Sequence, residues 1–232
     1  MLRDVSDRAV GGKKIAIATC CDAFTDFLKV LLRHWSFEIC DVGRPDVLLL
    51  AEEGCAEPAE GQRAVWLSRS KYQGTDRLSL PLSVENFWQV LEHLYHNPPR
   101  MHIRLDVELV ASVVVDDETV SVKLSSLSDM GCRFSYYREM VRDQHVFLSL
   151  SLDGEEMVID SRVIYAHHLS AAVDNNVRIG LLFRGIQKDQ RDKLRAYLVL
   201  QFLEKVQKEM APETFRKALE YLDLPAMVSA KL

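Results

Sequence analysis

No apolar run in the chain approaches the roughly 18 residues that a membrane-spanning helix needs. Net positive charge is missing too: the formal charge is -5, so there is no basic footprint for duplex DNA or RNA, and nucleic acid is not an expected partner. An anionic ligand must therefore be met by a local group of arginines rather than by the global field. Cysteine is sparse and unpatterned. Cys20, Cys21, Cys40, Cys55 and Cys132 form an odd set without CxxC spacing, which predicts reduced thiols in a cytoplasm rather than a disulfide frame. Adjacent Cys20 and Cys21 make a poor metal pair without a second pair. The opening MLRDVSDRAVGGKK is too polar for a signal peptide. His93 and His96, at i and i+3, have no third ligand spaced to join them, and His167-His168 closes a strand; no metal site is expected. There is no internal repeat, no nucleophile–base arrangement and no glycine-rich phosphate loop, so nothing calls for an enzyme or a cofactor.

What is present divides in two. Residues 1–12 read as a tail and 13–96 as a small α/β domain. KKIAIATC (13–20) suits a strand buried on both faces. Asp22 is placed to cap a helix with the apolar stripe Phe24, Phe27, Leu28, Leu31 and Leu32. FEICDV (37–42), DVLLLA (46–51), AVWL (64–67) and RLSLPL (77–82) follow as strands. A helix over 83–96, capped by Ser83, carries Phe87, Val90, Leu91 and Leu94 on one face. Strand–helix alternation predicts a mostly parallel sheet.

At Asn97-Pro98-Pro99 the period changes from 3.6 to 2, since proline cannot continue the helix. Leu105, Val107, Leu109, Val113 and Val115 mark one apolar face. Val120, Val122 and Leu124 follow, then Val146, Leu148, Leu150 and Leu152, then Val177, Ile179, Leu181 and Phe183. Asp116-Asp117, Asp153-Gly154 and Asn175-Asn176 sit between runs as hairpin turns. About six antiparallel strands predict a β-barrel over 97–203, closed by a helix with Leu194, Tyr197, Leu198 and Leu203 on one stripe. Arg191 and Arg195 are expected on the wet face of that helix. Residues 204–232 form a helical extension with Phe215, Leu219 and Leu222.

Two segments bear on function. NPPRMHIRLDV (97–107) sets Arg100 and Arg104 four apart at the joint between the domains, and SSLSDMG (125–131) is a polar, turn-forming loop ending in glycine. Guanidinium binds phosphate oxygens in bidentate fashion through a planar fork, where lysine supplies charge but not the fork.

Together these residues resemble the PilZ domain, a small barrel that binds cyclic di-GMP. The family pattern is RxxxR entering the barrel and [D/N]xSxxG some twenty to thirty residues later. RMHIR (100–104) matches the first in full; SLSDMG (126–131) matches the second with Ser126 in place of the acidic or amide residue. VRIGLLFRGIQKDQRDKLRAYL (177–198) is similar to the family's closing strand and helix. The resemblance implies a non-catalytic cyclic di-GMP receptor with Arg100, Arg104, Ser126, Ser128 and Gly131 as ligand-binding residues. In it Ser128 donates to a phosphate and Gly131 lets a base lie against the backbone. Serine at 126 is a weaker, neutral acceptor, expected to cost about 1–2 kcal/mol of affinity. The alternative is a PilZ-shaped protein-interaction module that has lost the nucleotide. Family analogy points to motility, biofilm or polysaccharide control in a bacterium through a protein effector.

Residues 13–96 resemble a response-regulator receiver domain stripped of its chemistry. The acidic pair falls on Thr19 and Cys20, the phospho-acceptor on Ala51, and the lysine on Leu80 before Pro81; Ser68 keeps a permitted type, and Glu52 is expected to point away. The stretches 52–63 and 68–76 are short for helices. Without an acidic pocket there is no Mg²⁺ site and no phosphotransfer, so this half reads as a docking domain.

Overall fold

The computed structural model describes residues 13–70, 76–116, 118–168 and 177–232. The tail 1–12 and the turn residues Asp117, Asn175 and Asn176 lie outside them. The described residues up to Arg100, with Leu203–Leu224, form one compact unit; Met101–Phe202, with Pro225–Leu232, form a second.

The first unit is a five-stranded parallel sheet in the order β2-β1-β3-β4-β5. Its strands are β1 (Lys13–Ala18), β2 (Phe37–Cys40), β3 (Leu48–Glu52), β4 (Ala64–Ser68) and β5 (Arg77–Ser79). This is the order of doubly wound, flavodoxin-like sheets, as a receiver-like half requires. Every residue of β3 is buried, consistent with its unbroken Leu-Leu-Leu-Ala run. Helix α1 (Asp22–His34) buries the whole expected stripe plus Val30.

Several local expectations shift. Asp22 is the first helical residue and not the cap: Cys21 holds the N-cap position without a side-chain bond, and Asp22 instead puts a negative charge in the first turn. Strand β5 stops at Ser79, because Pro81 has no amide to donate and Leu82 turns to bridge Leu222. Helix α2 (Val84–Tyr95) is capped by Ser83, whose hydroxyl accepts from the Asn86 amide. Its buried face is Val84, Phe87, Trp88, Leu91 and Glu92, rotated from the stripe through Val90 and Leu94 because Trp88 packs edge-on against Trp35 at 4.9 Å. Glu92 is buried with Lys13 and His96 at 3.6 Å each. Between β3 and β4 the chain forms turns and no helix.

The thiol expectation is overturned at one pair. Cys20 and Cys55 form a disulfide across 35 residues. They follow β1 and β3, neighbours in the sheet, so the pairing comes from topology and leaves no local spacing to read. Cys21, Cys40 and Cys132 are free, and only Cys132 is buried.

The second unit is a closed antiparallel barrel in the order β10-β11-β8-β7-β6-β9. It comprises β6 (Arg104–Val115), β7 (Glu118–Ser128), β8 (Gly131–Tyr136), β9 (His145–Leu152), β10 (Glu155–His168) and β11 (Val177–Phe183). The β9–β10 hairpin turns on Asp153-Gly154, both with positive φ (54° and 84°), as a tight primed turn demands. Inward residues include Val113, Leu124, Phe134, Leu148, Val163 and Ile179, each fully buried. A bulge between Asp106 and Leu109 breaks the alternation in β6, leaving Val107 and Leu109 half-buried and moving the core face to Ala111 and Val113. Helix α3 (Lys188–Lys208) follows, then α4 (Pro212–Leu219) and α5 (Ala226–Ser229). In the first unit α4 sets Phe215 against Phe27, and Tyr221 beyond it stacks on Phe24 at 4.6 Å.

Candidate functional site

The antiparallel ladder places three expected site residues in one row. Arg104 on β6 lies opposite Ser128 on β7, and Ser128 lies opposite Gly131 on β8. One step along, with the same facing, a second row runs Asp106, Ser126, Arg133. Between them the inward row Leu105, Leu127, Cys132 fills the core. Its thiol is pushed up to about 12 by burial, against the opposing charge of Arg104.

The loop is held from within. The Ser128 hydroxyl donates to the Gly131 carbonyl at 3.1 Å and accepts from the Met130 amide at 3.3 Å. Gly131 is required by space and not by backbone angle: a Cβ there would collide with the carbonyl oxygen of Leu181 on β11. Glycine thus serves the close approach of two strands. Gly180 is similar, its missing Cβ replaced by the ring of Tyr165.

Asp129, in the same loop, is 2% exposed. Its Oδ1 lies 2.8 Å from Nδ1 of His102, and its Oδ2 accepts from Nε of Arg195 at 2.7 Å. Reading the sequence missed this residue. The one available signal was that His102 and Asp129 each occupy an interior position of a motif. It also corrects the assignment of Arg191 and Arg195 to a wet face: both are half-buried, and Arg195 ties α3 to the loop.

Arg104 is exposed, whereas Ser126 is 1% exposed with a hydroxyl that has no hydrogen-bond partner. Arg100 is not part of the ladder. It is the last residue of the first unit, exposed, with its amide donating to Glu92 Oε2 at 3.2 Å.

In the first unit, the carboxyl end of β1, Ala18-Thr19-Cys20, carries no acidic residue, whereas β3 ends on Glu52 with Glu53 next. Glu52, expected to face away, accepts from the Cys20 amide at 3.1 Å beside the Cys20–Cys55 bond. Cys20, Glu52 and Cys55 hold ligand-type atoms within 4.8 Å of one another, both sulfurs being committed to the disulfide. Ser68 donates to Glu53 at 2.7 Å.

The PilZ domain model matches residues 98–200, the span that contains both arginines, the loop and the whole barrel. Residues 98–200 are a PilZ domain. Solved structures similar to the chain include the Bacillus subtilis inhibitor of motility MotI/DgrA, at 15% identity over 46% of this chain and 52% of that one, TM-score 0.41. The MrkH–c-di-GMP complex of K. pneumonia is similar at 17% identity over 47% of this chain and 55% of that one, TM-score 0.42. The PilZ domain with c-di-GMP of YcgR from Escherichia coli shares 11% identity over 47% of this chain and 95% of that one, TM-score 0.38. The chain spans about half the length of the first two. No curated protein matches it significantly. Among the described residues no helix is long and apolar enough to cross a membrane.

Proposed function

We propose that the protein is a non-catalytic receptor for cyclic di-GMP that holds the dinucleotide with Arg100, Arg104, Ser126, Ser128 and Gly131 and passes the signal to a protein effector. One observation carries the reading: Arg104, Ser128 and Gly131 stand in a single register row of the PilZ barrel. An exposed guanidinium there sits beside the loop that Ser128 and Gly131 hold in shape, with the Ser128 proton donated to the Gly131 carbonyl and not free for a phosphate; the guanidinium itself is suited to a phosphate. Arg100 belongs to the linker, four residues before Arg104, and the boundary between the compact units falls directly after it. A ligand that engages both arginines selects among linker conformations and so among domain orientations. By family analogy the output is motility, biofilm or polysaccharide control. A cytoplasmic setting, which the receptor role implies, is one where disulfides are uncommon, so the Cys20–Cys55 bond is expected to yield to reductant there.

Calorimetric titration with cyclic di-GMP tests the proposal. Saturable heat is expected in the full chain and its loss in Arg104→Ala; no binding up to about 100 µM ligand, an affinity near -5.5 kcal/mol, sinks it. The competing reading is an interaction module without nucleotide. It is favoured by Ser126, which is neutral and buried where the family pattern has Asp or Asn.

A further inference from the structure

We propose that Asp106, on the strand beside Ser126, supplies the carboxylate for reading a guanine base that Ser126 cannot supply. The inference rests on the receptor reading and deepens it.

Ser126 is a weak substitute for the carboxylate of the family pattern on two counts. It is neutral, and it is 1% exposed with its hydroxyl turned to no partner. Its register partners differ. Directly opposed side chains of an antiparallel pair project from the same face with Cβ atoms about 5 Å apart. Asp106 opposes Ser126 from β6 and Arg133 opposes it from β8, so the three form one row. The side chain of Asp106 is 88% exposed and that of Arg133 31%. Their closest charged atoms, Arg133 Nη2 and Asp106 Oδ1, are 3.5 Å apart although β6 and β8 are not neighbours. The pair therefore reaches across β7 above Ser126. A small residue at 126 permits that crossing; an aspartate there would stand under Arg133 and draw it away from Asp106.

The row is also the one the barrel distorts. Register shifts fall between Asp106 and Leu109 on β6 and between Leu124 and Ser126 on β7, irregularities that re-aim side chains at the edge of a ladder. It lies two residues from the Arg104–Ser128–Gly131 row and faces the same way. Guanine presents donors at N1 and N2 and acceptors at O6 and N7. A carboxylate accepts the two donors, and a guanidinium fork donates to the two acceptors. Asp106, exposed, with Arg133, half-buried, offers both sets from one pair. The acidic function has moved one strand sideways, from β7 to β6.

The test is calorimetric titration of the full chain with cyclic di-GMP and with cyclic di-IMP, which lacks the N2 amino group. Wild type is expected to prefer the guanine ligand. Asp106→Ala should weaken cyclic di-GMP binding by at least about tenfold, the effect of losing a charged hydrogen-bond partner, and should narrow the preference over cyclic di-IMP. Adding Ser126→Asp to Asp106→Ala should recover most of that loss by returning the carboxylate to β7. Because Asp106 is exposed, its removal should leave the melting temperature within a degree or two, which distinguishes lost recognition from lost fold. Wild-type binding with Asp106→Ala equally tight, or with its base preference unchanged, overturns the inference while leaving the receptor reading in place. Failure of wild type to bind removes both.

Discussion

His102 Nδ1 lies 2.8 Å from Asp129 Oδ1, so the segment between the two motif arginines is fastened to the glycine loop through a buried carboxylate. Arg195 completes the clamp from α3. Three pieces far apart in sequence thus meet at one carboxylate. Asp129→Ala removes the shared acceptor and is expected to cost about 1–3 kcal/mol in urea denaturation and to weaken ligand binding with it. An Asp129→Ala protein as stable as wild type would show that the clamp is ornamental.

Gly131→Ala and Gly180→Ala should both destabilise the barrel, by about 1–3 kcal/mol each, since each added methyl meets a fixed neighbour. They differ in what must yield. At 131 the obstacle is the Leu181 backbone, and at 180 it is the ring of Tyr165. Trimming Tyr165 to Ala should therefore rescue Gly180→Ala, while Leu181→Ala should not rescue Gly131→Ala. Thermal melts of the four proteins read this out.

Tyr95 sets an alkaline limit on the first unit. Burial raises its pKa from 10.0 to about 12, and its hydroxyl donates to the Lys14 carbonyl at 2.7 Å. The folded state holds the proton more tightly than the unfolded state does. Its contribution is therefore complete below pH 10 and is lost as pH rises toward about 12. Tyr95→Phe should flatten that part of the stability–pH curve. An unchanged slope across that window would discount the tyrosine.

Reduction of Cys20–Cys55 should lower the stability of the first unit by about 3–4 kcal/mol, the loop-closure value for a bridge spanning some 35 residues. The barrel contains neither sulfur, and its Cys132 thiol is buried with its pKa raised to about 12. Calorimetry with and without dithiothreitol should move one transition and leave the other. Iodoacetamide at neutral pH should label Cys21 and Cys40 and spare Cys132 until the barrel unfolds.

Much of this was legible in one dimension. The change of period at Asn97 marks where α/β gives way to barrel, and the two quoted motifs led to Arg104, Ser128 and Gly131, which β6, β7 and β8 bring into register. What escaped was whatever depends on neighbours that are distant along the chain. Cys20 and Cys55 meet because β1 and β3 are adjacent. Asp129 looked like an ordinary loop residue because both of its partners come from elsewhere. Asp106 looked like the polar half of an alternating strand, and its meaning comes from lying opposite Ser126. Glu92 lies outside the expected stripe through Val90 and Leu94 and is buried because Trp88 rotates the helix face.

Closure of the barrel also decides where the chain is open to strand exchange. Among the described residues each of the six barrel strands has a neighbour on both sides, so none stands at an open sheet edge. Free margins among the named sheets occur only at β2 and β5, of four and three residues. Strands that short make poor templates. Among the described residues, association through added β-structure is thereby discouraged, and contacts with another protein fall to side chains.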